Sequence, residues 1–346
     1  MNKMSSKIIT IGAATIDTII EYEDPQTLNL HSKQGIASYL LLEEGKKIEV
    51  TTLGQFSGGG GTNSAIAFKK LGFEVSSICR VGQDDQGAHV INELTQAGVE
   101  TRYIQRDMNE CTASSYIIPS LKGDRTILAH RGANGNLIAD AASLEAIAHN
   151  QYVYISSLSG NSSTQLPLIT HAAKLAHVPI AINPGISQLR LGADCIIQSL
   201  KDIEIVIVNS SEAKHLMSAM THQNTPFQLT DFFQLILAQG PRFVVVTDGD
   251  KGVHVADKTQ IYFHPALDTI TVVNTLGAGD AFGSTFVAFI AQGKPVEQAI
   301  FAGIINSSCV VSCPDAKTGL LSEQELLQRL REFSTSQLQC YAITHR

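Results

Sequence analysis

The chain has 346 residues, 44% of them hydrophobic and 16% charged, with a formal net charge of −7. That length supports one large or two ordinary domains, and an acidic balance without a basic block argues against a nucleic-acid partner. No apolar run approaches the roughly 20 residues of a membrane-spanning helix. The six cysteines form no CxxC pair, and Cys309 and Cys313 read as small core residues of a helix. A soluble cytoplasmic enzyme with no membrane partner is expected.

From the N-terminus, Ile8-Ile9-Thr10-Ile11-Gly12 is too short for the apolar core of a signal peptide and predicts a buried strand over 7–11. Further β-branched runs follow at 75–81, 152–156, 178–182, 203–208 and 243–246. Most alternate with helical stretches at 62–71, 87–97, 165–175 and 212–220. Continuous apolar strands bounded by glycine and polar turns predict an α/β fold with a mostly parallel sheet buried on both faces. Two regions, 17–56 and 103–131, carry strand-like segments such as 47–53 and 114–118 without intervening helices. They predict a small β lid inserted into one domain spanning 1–346, with 333–346 as a C-terminal extension.

Three constellations carry chemistry. Gly58-Gly59-Gly60-Gly61-Thr62-Asn63 precedes a helix that Gly72 would stop. Four glycines let backbone approach a ligand closely, Asn63 offers both donor and acceptor, and Thr62 could cap the helix. A flexible loop is the plainer reading of a glycine run. It is no P-loop, since no Lys-Ser/Thr follows, and no dinucleotide fingerprint follows the first strand. Asn209 and Glu212, three apart after a strand, read as a helix cap and its capping-box partner. Near the C-terminus, Ile270-Thr271-Val272-Val273 leads into Asn274-Thr275-Leu276-Gly277-Ala278-Gly279-Asp280 and an apolar helical stretch. Strand, glycine turn and helix start would aim several N–H groups and the positive helix end at one spot. Asp280 adds a carboxylate there, and an anion cradle beside a general base is what phosphoryl transfer to a hydroxyl requires. On the turn alone, a strand-to-helix turn where glycine is merely convenient is an equal reading.

In combination these residues resemble the ribokinase-like, PfkB-type carbohydrate kinases. Gly58-Gly-x-x-x-Asn63 with Leu71-Gly72, and Thr275-x-Gly277-Ala278-Gly279-Asp280-Ala281-Phe282, are similar to the two signatures of that family. Further landmarks stand between them in the right order: Gly12 to Asp17, Val81-Gly82-x-Asp84-x-x-Gly87, Asn209-Ser210-Ser211-Glu212, and Val246-Thr247-Asp248-Gly249 with Gly252. The resemblance spans roughly residues 7–332. It implies a three-layer αβα sandwich with a mostly parallel central sheet and a β lid, ATP and Mg²⁺ as cofactors, and a small sugar or sugar acid as acceptor.

The resemblance also implies roles. Asp280 would take the proton of the attacking hydroxyl, and the amides of Gly277, Ala278 and Gly279 would hold the developing charge. Asn209 and Glu212 would sit near Mg²⁺ through water, and Thr247, Gly249 and Gly252 would contact nucleotide. Asp17, Gly58, Gly59, Gly60 and Asn63 would bind substrate under the lid, with Arg131 either a substrate contact or part of a lid salt bridge. Several departures argue against ribose itself. Thr15-Ile16-Asp17 replaces Asn-x-Asp, Gly60 stands where ribokinases carry lysine, and Ser156-Ser157-Leu158-Ser159 stands where they place a substrate-binding glutamate. Asn274 replaces the first aspartate of the second signature and Asp315 the glycine of a later Gly-Ala pair, which puts monovalent-cation activation in doubt unless Asp315 restores the charge. A nucleoside kinase of the same superfamily is the alternative expectation, and a non-catalytic sugar-binding protein the second. An unpaired lid edge would also allow a homodimer.

Overall fold

The computed structural model describes residues 6–22, 26–32, 35–119, 125–221, 226–267, 270–332 and 337–343. Parts of the predicted lid (23–25, 33–34 and 120–124) and of the C-terminal extension (333–336 and 344–346) lie outside them. In chain order the first half contains β1 (Lys7–Ile11), β2 (Thr15–Tyr22), β3 (Gln26–Ser32), β4 (Gly35–Leu41), β5 (Val50–Gly58), α1 (Gly60–Lys70), β6 (Glu74–Ile78) and β7 (Arg80–Gly82). It continues through α2 (Asp85–Gln96), β8 (Gln105–Asp107), β9 (Ala113–Pro119), β10 (Arg125–His130), α3 (Ala141–Ala148), β11 (Tyr152–Ile155), α4 (Leu166–Leu175) and β12 (Ile180–Ile182). The second half contains α5 (Ile186–Ser199), β13 (Ile205–Asn209), α6 (Ser210–Thr221), α7 (Leu229–Leu237), β14 (Phe243–Thr247), β15 (Val253–Ala256) and β16 (Gln260–His264). It closes with α8 (Ala278–Ala291), α9 (Val296–Val311), α10 (Glu323–Glu332) and β17 (Gln339–Ala342).

The central sheet has the order β17-β16-β15-β14-β13-β12-β11-β1-β6. From β6 to β14 its neighbours pair in parallel, and β15, β16 and β17 continue it antiparallel. Side chains alternate across a strand, so each apolar run feeds two cores. Ile8, Tyr154, Ile205, Ile207 and Val245 face a layer with α1, α8 and α9. Ile9, Val153, Ile155, Val206 and Val244 face α3 to α7. This is the expected three-layer sandwich. Helix α8 is buried continuously from Ala281 to Ile290, and each fully buried Phe or Ile contributes about 1.5–3 kcal/mol of transfer free energy.

A second, four-stranded sheet runs β10-β9-β2-β5, and β3 pairs with β4 as a separate hairpin. The strand predicted over 75–81 divides into β6 and β7, because β7 leaves the central sheet to pair with β8. The C-terminal residues pair Gln339–Ala342 onto β16 and so close the antiparallel edge. One predicted strand is absent: 270–273 forms no strand. Val272 and Val273 are more than half exposed, and the amides of Val273 and Asn274 donate to Val311 O at 2.8 and 3.1 Å. This run therefore docks on the end of α9 instead of a sheet edge.

Candidate active site

The carboxyl ends of β1, β11, β12, β13 and β14 open toward one side, where α/β sheets take ligands. The first approach comes from the glycine run. Helix α1 starts at Gly60 with Gly59 as its cap at φ +96°. A Cβ on Gly59 would lie 2.5 Å from Ala13 O, so only glycine fits both the angle and the space. Thr62 is therefore not the cap. It lies inside the first turn and donates to Gly58 O and Gly59 O at 2.6 and 3.0 Å.

Asp17 on β2 is buried beneath this run and accepts from Ser115 Oγ on β9 at 2.5 Å. Burial raises its pKa, while the Ser115 bond and the charge of Lys317 pull it down. A Cβ on Gly58 would stand 2.0 Å from Asp17 Oδ2, and one on Gly60 would stand 3.2 Å from Asp280 Oδ1. Asn63 Nδ2 donates to Asp280 Oδ2 at 2.8 Å. The glycines thus clear the space between two carboxylates 263 positions apart (280 − 17). Asp280 as a residue is half-buried, but its carboxyl group faces inward. Burial raises its pKa, the Asn63 bond lowers it and the charge of Asp17 raises it further.

Asp280 stands in the first turn of α8, whose cap is Gly277 at φ +74°. First-turn N–H groups have no carbonyl four residues back to bond, and the helix end favours an anion there. Ala278 N holds only a long 3.4 Å contact to Thr275 O, which an arriving anion can replace. Gly277, Ala278, Gly279 and Asp280 thus all stand at the start of α8.

Asn209 and Glu212 form a complete capping box at the start of α6. Asn209 Oδ1 accepts from Glu212 N at 2.9 Å, and Glu212 Oε2 accepts from Asn209 N at 2.9 Å. Burial pushes the Glu212 carboxyl up to about 7; its bonds from Asn209 and from the Ile186 amide lower it, and the charge of Asp280 raises it. Asn209 pairs in register with Thr247. The following turn has Gly249 at φ +55° and Gly252 at φ +106°, and Asp248 N donates to Gly252 O at 2.9 Å. The site residues thus fall in two groups. Asp17, Gly58, Gly59, Gly60, Asn63 and Asp280 form one; Asn209, Glu212, Thr247, Gly249 and Gly252 form the other, joined to it by the field between Glu212 and Asp280.

Several further residues at the site had no role assigned from the sequence, Ser156 having entered only as a departure from the ribokinase pattern. Ser156 closes the end of β11: it is buried, a Cβ on Gly60 would lie 2.7 Å from its own Cβ, and its Oγ finds no partner among the described residues. Asn63 Oδ1 is likewise buried without one. Two buried polar atoms without protein partners beside the glycine run suit a hydroxylated ligand. Asn183 stands near Tyr154 OH and Gly283 in the first turns of α8, and its only signal is an Asn-Pro turn after a strand. The second-sheet arginine that reaches the glycine turn is Arg125, which donates to Thr275 Oγ1. Arg131 is exposed and precedes a 3-10 turn.

Residues 6–323 match the profile of the pfkB family carbohydrate kinases. Among curated relatives, a ribokinase of Bacillus subtilis is 25% identical over 83% of this chain and 92% of its own length. An ATP-dependent ribose-1-phosphate kinase of Halopiger xanaduensis is 27% identical over 73% of this chain and 80% of its own. Among solved structures, Arabidopsis thaliana ribokinase complexed with ribose and ATP superposes with a TM-score of 0.78 at 24% identity, covering 96% of this chain and all of that one. A Burkholderia thailandensis nucleoside kinase in complex with inosine superposes with a TM-score of 0.75 at 18% identity, covering 94% and 98%.

Proposed function

The chain belongs to the pfkB family of carbohydrate kinases, and from that premise we propose that it moves the γ-phosphate of ATP to a primary hydroxyl of a small sugar or sugar acid. The observation that carries this reading is the bond from Asn63 to Asp280, which holds a buried carboxylate between the acceptor pocket and a helix N-terminus. The raised pKa of Asp280 suits a general base that must take and later release a proton.

In this reading Asp17, Ser156 and the Asn63 carbonyl oxygen orient the acceptor hydroxyls. Asp280 accepts the proton as the hydroxyl oxygen bonds to the γ-phosphorus and the bond to the ADP oxygen breaks. The amides of Gly277, Ala278 and Gly279 hold the negative charge, as preorganised donors do. The second sheet acts as a lid that excludes water, with Arg125 tying it to the glycine turn. Thr247, Gly249 and Gly252 contact the nucleotide. Glu212 and Asn209 would hold Mg²⁺ beside the phosphates through water, since that ion keeps much of its hydration shell.

The deciding experiment is ADP release from Mg-ATP across a panel of sugars, keto-deoxy acids, inosine and adenosine. Selective turnover with one sugar class supports the proposal. Turnover with nucleosides alone replaces it with the second reading, which the likeness to nucleoside kinases favours. ATP binding without turnover on any acceptor sinks both and leaves a binding role.

Two further outcomes are expected. Because burial pushes the Glu212 carboxyl up to about 7, it would gain a proton as pH falls through that value and would then hold a metal ion less well. The rate at limiting Mg²⁺ should then fall below pH 7, and saturating Mg²⁺ should carry the acid limb to lower pH. An acid limb indifferent to Mg²⁺ removes Glu212 from the metal site. The second outcome concerns salt. Asn274 Oδ1 accepts from Leu276 N at 3.0 Å and its Nδ2 donates to Pro314 O at 2.9 Å, so a neutral amide braces the loops around the turn. Asp315 is already held by Lys317 N, Thr318 N and Thr318 Oγ1. Exchanging K⁺ for tetramethylammonium should change kcat less than about twofold, roughly 0.4 kcal/mol; a tenfold loss would show a cation requirement.

A further inference from the structure

The two faces of the lid sheet differ in character. Residues opposite one another in a ladder share a face, and so do alternate residues along a strand. The register therefore sets Phe56 of β5, Asp17 of β2 and Ser115 of β9 in one row on one face. Arg125 of β10 pairs with Pro119, which stands on the Ser115 side of β9, and Arg125 reaches Thr275 in the anion turn. This is the face turned toward the site. The opposite face carries Ser57, which Lys317 holds from the turn after α9.

Phe56 is the aromatic member of that row, directly beside Asp17 on the neighbouring strand. Its ring folds back along β5: a Cβ on Gly54 would stand 2.6 Å from both Cε2 and Cζ of Phe56. Gly54 lies on the same face, opposite Ile19, and its missing side chain is what gives the ring this space. The ring is thus held down on the lid next to the carboxylate, and Phe56 is only half-buried, so part of its surface stays open. Asp17 itself is fixed from the other side by Ser115 Oγ at 2.5 Å.

A carboxylate beside an aromatic ring makes an amphipathic wall. A cyclic sugar has the matching shape: hydroxyls project from its rim, while the C–H groups on one side form an apolar patch of positively polarised hydrogens. The negative face of an aromatic ring attracts such hydrogens, and covering the patch removes apolar surface from water. An open-chain polyol or sugar acid turns about each carbon–carbon bond and must lose that freedom to present a similar patch. We propose that Phe56 is a specificity-determining residue of the acceptor pocket: it stacks on the C–H face of a cyclic sugar whose hydroxyls Asp17 accepts, so the acceptor enters as a closed ring. This rests on the kinase reading only for placing the acceptor at Asp17, and it selects among the acceptors that reading leaves open.

The chain contains no tryptophan, so Phe56→Trp places a single indole reporter beside Asp17 in the full-length protein. Its emission is followed without nucleotide against ribose, fructose, glucose, inosine and hypoxanthine, the alditols ribitol and glucitol, and open-chain gluconate. A ring-form sugar should shift the emission, and adding Asp17→Ala should abolish the response. By calorimetry on the parent chain that sugar should bind about tenfold more tightly than its alditol, the scale for ordering rotatable bonds. Phe56→Leu should weaken it about fivefold, within the range for an aromatic contact, while ATP affinity holds, and Phe56→Tyr should retain it. Alditols or gluconate that bind as tightly as ring forms overturn the inference, as does unaltered ring affinity in Phe56→Leu. A response to hypoxanthine equal to that of inosine gives the ring to a base and overturns it too. If Phe56→Trp does not fold, calorimetry on Phe56→Leu decides, and if no member of the panel binds the parent chain, the inference falls. The transfer reading fails separately: ring binding without ADP release ends transfer and leaves the stacking, whereas ADP release with alditols ahead of ring forms does the reverse.

Discussion

Asp280→Asn is expected to lower kcat by about 10²- to 10⁴-fold, the range for loss of a positioned general base, equivalent to roughly 2.7–5.4 kcal/mol of barrier. The substitution is isosteric, and an asparagine oxygen can still accept from Asn63 Nδ2, so the 2.8 Å bond that orients the side chain has a replacement. It removes the basic oxygen and the negative charge that opposes ionisation of Asp17 and Glu212. Nucleotide affinity should therefore hold or rise slightly while the chemical step collapses. Single-turnover rates beside ATP binding by calorimetry separate the two. A residual rate within tenfold of the parent would show that the proton leaves by another route, and the assignment of Asp280 as base would fall.

Gly277→Ala should cost about 10² in kcat, the scale for loss of one oriented donor in an anion hole. Two penalties combine at this position. An L-residue at φ +74° pays roughly 1–2 kcal/mol for the left-handed conformation. Its Cβ would also stand 2.3 Å from the Ala316 Cβ and 2.7 Å from the Ala316 Cα, so one of the two turns must move. Gly279→Ala is the matched control, because a Cβ there meets nothing within 4 Å. Thermal denaturation should show a lower Tm for Gly277→Ala and none for Gly279→Ala. A loss of kcat in Gly279→Ala at unchanged Tm would then report intrusion of the methyl group on the bound anion. If Gly277→Ala keeps both its Tm and its rate, the turn is not the strained donor array described above.

The layered fold is legible in the sequence because strands buried on both faces have no polar side to keep. Runs such as Ile8-Ile9 and Val244-Val245-Val246 stand out against amphipathic helices for that reason. The same logic fails at Ile270-Thr271-Val272-Val273, where β-branched residues met the tail of α9 rather than a free sheet edge, which β15 to β17 already extend. Propensity alone does not say whether a neighbouring strand is available. Asp280 and Asn63 were readable as residues with suitable chemistry, but not as partners, since 217 positions separate them (280 − 63). Asn209 and Glu212 carry a helix cap in the structure, and the same spacing serves that role with or without a metal nearby. Ser156 was legible only as part of a departure from the ribokinase pattern, and Lys317 left no signal, since a lysine in a polar turn is ordinary until tertiary packing buries it.

The central position of β1, between β6 and β11, has a consequence for how the protein is made. The pocket glycines and Asn63 leave the ribosome early, and Asp280 follows 217 residues later. At about 5–20 residues per second that interval lasts roughly 10–45 s. During it the acceptor half of the site exists without its carboxylate base, and the α1 surface that α8 will cover is open. The nascent chain thus carries an uncovered apolar face of α1 throughout that interval, because the helix that buries it has yet to be made.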